Sequence, residues 1–158
     1  MNTTQAQALR DLLTSQQVAA LGTLHNDEPY VSMAPFAMLP DGQGFVIHVS
    51  GLAAHTRDML SNPAVSLLIV APPAPQVPAQ ALARATIQGQ ARQCEETDPD
   101  YEEAKRAYLS RFPQSIEMFS FADFSLFVIV PRSLRFVGGF AQATTITAET
   151  FARLMSGD

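Results

Sequence analysis

At 158 residues the chain is long enough for one substantial core, and the whole of 1–158 is read as a single domain. Its 47% hydrophobic and 16% charged residues suit a globular protein, and the net charge of −5 without any basic stripe argues against a sequence-independent grip on nucleic acid. One cysteine, Cys94, excludes an internal disulfide, and the longest apolar run, Val65 to Pro75, is broken by Ser66 and prolines and is too short to span a membrane. The start MNTTQAQALRDLL lacks a basic segment followed by an apolar block, so a cytoplasmic location is expected.

The spacing predicts an opening amphipathic helix over Thr4 to Ser15, with Ala8, Leu9, Leu12 and Leu13 on one face. Val18 to Leu24 reads as a strand, His25-Asn26-Asp27-Glu28 as a turn, and Pro29 to Met38 as the second arm of a hairpin. A third strand is expected over Phe45 to Val49. A short polar helix follows, and then a fourth strand, Val65 to Ala71, whose continuous apolar character predicts burial on both faces. After the proline-rich loop APPAPQVPAQ, Ala83 to Ala91 alternates as a strand, and Gly89 within it marks a bulge or a close backbone approach.

Six acidic residues lie between Glu95 and Glu103, without the glycine and regular oxygen spacing of a calcium loop. They read as a solvated loop, with Asp98 and Asp100 suited to start a helix over Tyr101 to Arg111. Beyond it come a shorter helical segment near Ser115 to Phe119, strands over Phe124 to Val130 and Leu134 to Phe140, and a last helix over Ala148 to Met155. Six or seven mostly antiparallel strands with peripheral helices predict a closed or nearly closed β-barrel, because closure removes exposed strand edges.

The most informative stretch is FVIHVSGLAAHTRDMLSNPAVSLLIV, Phe45 to Val70, in which the polar helix opens with His55, Thr56 and Arg57. A helix start offers unpaired N–H groups and the positive end of the peptide dipole, so it suits an anion. A hydroxyl, a guanidinium and an imidazole beside it could grip a phosphate. The competing reading makes Thr56 a cap, Arg57 a solvated charge and His55 an incidental polar residue. His48 is the nearest candidate for an acid or base but reads first as a satisfied barrel histidine, and Cys94 beside the acidic run should have a raised pKa.

The segment from GTLHNDEPYVSMAPFAM through NPAVSLLI, with LARATIQGQA and FADFSLFVIVPRSLRFVGGFAQA, resembles the pyridoxamine 5'-phosphate oxidase-like, FMN-binding split barrels over nearly the whole chain. LAAHTRDML, NPAVSLL, ADFSLFVI and VGGFAQA are most similar to the branch associated with haem utilisation. The resemblance implies a mainly β protein, a six-stranded antiparallel split barrel with peripheral helices, forming a homodimer with FMN at the subunit interface. On that reading His55, Thr56 and Arg57 hold the FMN phosphate, Ser50 meets the phosphate or the ribityl chain, and Ser32, Met33, Ala34 and Pro35 line the ribityl chain and ring edge. Arg84 lies on a strand that can reach the partner's cofactor, although Ala85 stands where the oxidases carry a polar flavin contact. Gly138, Gly139 and Phe140 could form a backbone passage at the interface, a cleft wall or a plain core strand.

Three departures bear on function. His55 occupies the place where many members carry a lysine, so FMN affinity is expected to fall as pH rises. The residues with which true pyridoxamine-phosphate oxidases hold the substrate phosphate are missing. Haem-utilising relatives supply an iron-ligating histidine beyond the barrel, whereas the last histidine here is His55. The expectation is an FMN-binding oxidoreductase of unknown substrate. The alternatives are a haem-binding or haem-degrading protein and a non-catalytic FMN-binding dimer.

Overall fold

The computed structural model describes residues 1–157. Helix α1, Thr3–Ser15, starts at a reciprocal cap in which the Asn2 carboxamide accepts the Gln5 N–H and the Gln5 side chain accepts the Asn2 N–H. Its buried stripe is Ala6, Leu9, Leu12 and Leu13, while Ala8 is only half-buried. Strands β1 (Val18–His25) and β2 (Glu28–Pro35) form the expected hairpin. Its turn is only two residues long, because Asn26 and Asp27 both take positive φ, at 51° and 65°, and so match the twist of the arms.

Strands β3 (Ala37–Met38), β4 (Phe45–Ser50), β5 (Ala64–Val70), β6 (Arg84–Cys94), β7 (Phe124–Val137) and β8 (Ala143–Thr147) complete one antiparallel sheet in the order β2-β1-β5-β6-β7-β4-β3, with β8 paired to β7. The first and last strands of that path, β2 and β3, are separated in sequence only by Phe36. The chain therefore ties the two ends of the sheet together, and the sheet curls into a split barrel. Helices α2 (Ala54–Ser61), α3 (Tyr101–Arg111) and α4 (Ala148–Ser156) lie at its periphery.

Eight strands replace the expected six because two short ones join the barrel. Pro29 to Met38 breaks at Phe36 into β2 and β3, and Ala143–Thr147 pairs against β7. The separate strands expected over Phe124 to Val130 and Leu134 to Phe140 are in fact the single strand β7, running through Pro131. A bulge makes this possible: Gly89 faces Pro131 and Gln88 faces Ser133, leaving Arg132 without a partner across the ladder. Gly138 and Gly139 belong to the β7–β8 turn rather than to a strand, and Phe140 stands at its tip, 77% exposed.

The main core fills the barrel with Leu21, Phe36, Phe45, Ile47, Leu67, Ile87, Phe127 and Phe136, closed at one side by α1 and by Phe151 of α4. A second cluster lies outside it, under α3, where Val46, Leu126 and Val128 meet Ala104, Tyr108 and Phe112. Strand β4 is thus buried on both faces. Two-sided burial was expected of β5, which departs from it: Val65, Leu67 and Ile69 point inward, but Leu68 and Val70 are exposed on the outer face. They join Val18, Val31 and Met33 in an apolar stripe across β2, β1 and β5 that none of the described residues covers.

Candidate functional site

Helix α2 lies across β1 and β2 and brings its first turns against the inner row of those strands. Ser32 Oγ and His55 Nδ1 are 2.8 Å apart. Whichever of the two carries the shared proton, one donor remains, either the hydroxyl of Ser32 or the Nε2–H of a neutral His55. Burial lowers the His55 pKa from 6.5 and outweighs the opposing pull of the Asp58 charge, so the imidazole is neutral at pH 7. The backbone N–H groups of Ala54 and His55 find no acceptor among the described residues, as expected for a helix start. Arg57, one residue further on, is exposed.

Two of the expected phosphate donors are already engaged. Thr56 is buried and donates its hydroxyl to the Ser50 carbonyl at 2.6 Å. Ser50 donates to Asp123 Oδ2 at 3.2 Å and accepts the Leu52 N–H at 3.1 Å, while the Asp123 carbonyl accepts the Gly51 N–H. These bonds fix the loop between β4 and α2. Asp123 does so from 73 residues away, and nothing in the local sequence marks it.

The expected residues fall into two groups. Ser32, Ser50, His55 and Thr56 share the inner side of the α2 junction, with Arg57 at its exposed flank. Met33 faces the opposite way, into the row Met33, Ala20, Leu68, Thr86 and Arg135 that crosses the outer face of five strands. Ala34 is buried in the core, and Pro35 is half-buried at the end of β2. Arg84 lies opposite Val70 and donates to the carbonyls of Gln80 and Leu82, beside a surface hollow that Phe140 also lines.

Sequence reasoning missed a buried carboxylate one turn after His55. Asp58 is 5% exposed, accepts the Thr23 hydroxyl at 2.8 Å, and lies 2.7 Å from His25 Nδ1. Burial opposes its ionisation, but the bonds from His25 and Thr23 and the nearby positive charge win, and its pKa is lowered from 3.8. Its position on the α2 face that covers β1 was the available signal. A lowered folded pKa contributes stability above the ordinary carboxylate range, and that stability is lost as pH falls through 3.8 toward the folded value. Asp58→Asn should therefore flatten the acid limb of stability measured by urea titration between about pH 5 and 2; an unchanged acid limb would show that Asp58 carries none of it.

The acidic run is a solvated loop. Asp98 closes a turn by accepting the Glu95 N–H at 2.7 Å, and Asp100 precedes α3 but pairs with Arg92 instead of capping the helix. Among the described residues no group of three or more His, Cys, Asp or Glu could hold a metal ion. The Cys94 pKa is raised as expected, chiefly by burial and then by Asp100. No helix among the described residues is long and apolar enough to cross a membrane.

A family model described as pyridoxamine 5'-phosphate oxidase matches residues 6–138. The chain belongs to this family. A haem-binding protein from Mycobacterium smegmatis superposes with a TM-score of 0.84 at 29% identity, covering 96% of this chain and 61% of that one. The chloroplastic non-canonical haem oxygenase HOZ of Arabidopsis thaliana is 37% identical over 115 residues, which is 73% of this chain and 33% of that protein. HutZ of Vibrio cholerae, a haem storage protein, shares the fold with a TM-score of 0.71 at 24% identity, covering 79% of this chain and 88% of that one. The chain thus spans about a third of the plant relative. These haem-handling proteins match the family branch expected from the sequence.

Proposed function

We propose that this chain is an FMN-binding flavoprotein with oxidoreductase chemistry, working as a homodimer with FMN at the subunit interface. The observation that carries the reading is the α2 junction. There the free N–H groups of Ala54 and His55 and the spare donor of the Ser32–His55 pair meet at one helix start, and Arg57 lies exposed in the same first turn. This donor set fits a phosphate. Thr56 and Ser50 serve it indirectly, by holding the loop that presents those donors. Bound FMN supplies hydride and electron transfer. The protein supplies orientation, since none of the three histidines is placed as an evident acid or base.

The uncovered stripe of Val18, Val31, Met33, Leu68 and Val70 supports the homodimer, because a second copy would remove it from water. Arg84 and Met33 lie on that same outer face, which is where a cofactor shared between subunits would meet them.

A second reading, haem binding, is favoured by one specific arrangement. His25 has its Nδ1 fixed by Asp58 while its side chain stays 43% exposed, leaving Nε2 for an iron ion in the manner of carboxylate-oriented ligands. The absorbance spectrum of the purified protein, followed by titration with FMN and with haemin, separates the two. Flavin bands and stoichiometric FMN binding are expected. A haem band that saturates at one equivalent and is lost in His25→Ala, without FMN affinity, would overturn the flavin reading.

A further inference from the structure

Beyond the proposed FMN site, a separate cavity of about 360 Å³ opens between the end of β6, the segment Pro113–Ser120 and the start of β7. None of its lining residues belongs to the α2 junction. His48 forms its floor at 8% exposure and has no hydrogen-bond partner among the described residues. Its ring nitrogens are left unpaired and open to the cavity, so a group entering there can hydrogen-bond to them.

The walls are aromatic. The His48 ring stacks on Phe119 with centroids 3.9 Å apart and planes 9° from parallel, and Phe124 tilts against it at 5.2 Å. Phe121, half exposed, meets Phe124 edge-on at 5.7 Å and stands at the mouth. Glu95 and Glu96 sit at the rim, both exposed. Two cations lie beside this cluster: Lys105, whose ammonium lies over Phe119, 5.2 Å from its centroid, and Arg92, which acts on Cys94 but is paired with Asp100. With the Arg92 charge matched by Asp100, the Glu95 and Glu96 carboxylates outnumber the one unmatched cation, Lys105, at the opening.

We propose that this cavity binds a small aromatic amine whose ring lies among the phenylalanines, with a hydrogen-bonding group directed at His48 and a cationic amine directed at Glu95 and Glu96. The volume suits a compact ligand. Burial first and Lys105 second push the His48 pKa down to about 4, so at neutral pH the imidazole is uncharged and can accept a hydrogen bond from a phenol. The aromatic walls favour a flat ring, and the rim selects a positive charge over a negative one.

Tyramine, phenethylamine and 4-hydroxyphenylpropionate provide the test by calorimetric titration with and without saturating FMN. Tyramine is expected to bind saturably, about tenfold more tightly than phenethylamine, which lacks the hydroxyl, and at least as far ahead of the anionic acid. His48→Phe keeps the stack on Phe119 and should erase the hydroxyl advantage. Glu95→Gln with Glu96→Gln, at exposed positions that leave the fold intact, should erase the charge preference. Added FMN should change none of these affinities. The proposal is overturned by an absence of saturable tyramine binding, by a hydroxyl advantage that survives His48→Phe, by a charge preference that survives the double glutamine variant, or by competition from FMN.

Discussion

Arg57→Ala should weaken FMN binding about tenfold and leave riboflavin binding within about twofold, because only FMN carries the phosphate. Tenfold corresponds to about 1.4 kcal/mol, the lower end for a hydrogen bond to a charged group. Arg57 belongs at that end because it is exposed and shares its neighbourhood with the Asp58 carboxylate. Fluorescence quenching of each flavin measures both affinities, and equal losses would place the phosphate elsewhere. His55→Lys should act in the opposite direction and tighten FMN binding. It should also alter the pH dependence. A phosphate raises the pKa of a neighbouring imidazole, so protonated His55 binds FMN better and affinity falls as pH rises through the FMN-bound value. The free His55 starts below 6.5, which moves this loss toward the acid side. In His55→Lys this falling limb should disappear between about pH 5 and 8, leaving only the rise as the FMN phosphate takes its second charge at about pH 6, since a lysine ammonium does not titrate there.

The parts of this molecule that local chemistry dictates were legible in the sequence. The α1 stripe, the β1–β2 hairpin, the extent of α3 and the tight approach at Gly89 follow from spacing and turn residues. At the site, the family resemblance pointed to Ser32 and His55 separately but not to the bond between them, and the helix start alone suggested only an anion. What stayed hidden depends on residues far apart in the chain. Asp58 reads as one more polar residue of a short helix until β1 brings Thr23 and His25 to it, 35 and 33 positions away. Thr56 reads as a free donor until the Ser50 carbonyl claims its proton. The apolar run of β5 reads as doubly buried because hydropathy alone does not say whether an apolar side chain is covered by its own chain. Its outward Leu68 and Val70 are apolar without any neighbour among the described residues to cover them.

Gly89→Ala tests how the long strand β7 is accommodated and should carry the largest cost in stability. A Cβ at Gly89 would press on the Val130 carbonyl oxygen and lie 3.0 Å from its carbon and 3.2 Å from Pro131 Cα. All three are backbone atoms, so no side chain can rotate away. Relief requires β6 and β7 to separate where the ladder is already interrupted by the bulge opposite Pro131. Proline lacks an N–H to give to the ladder, and the bulge is what lets β7 continue past it. The strand must continue, because Leu134 and Phe136 beyond the bulge supply the barrel core and Val137 pairs with Arg84. Overpacking of this kind costs about 3 kcal/mol, or roughly 6–12 °C in melting temperature for a chain of this size. Gly139→Ala is the matched control: no atom lies within 4 Å of its added Cβ, and its melting temperature should stay within about 2 °C of the parent. Equal melting temperatures for the two variants would mean that β6 and β7 part freely at the bulge, and that Pro131 is tolerated for some reason other than the close fit of Gly89 beneath it.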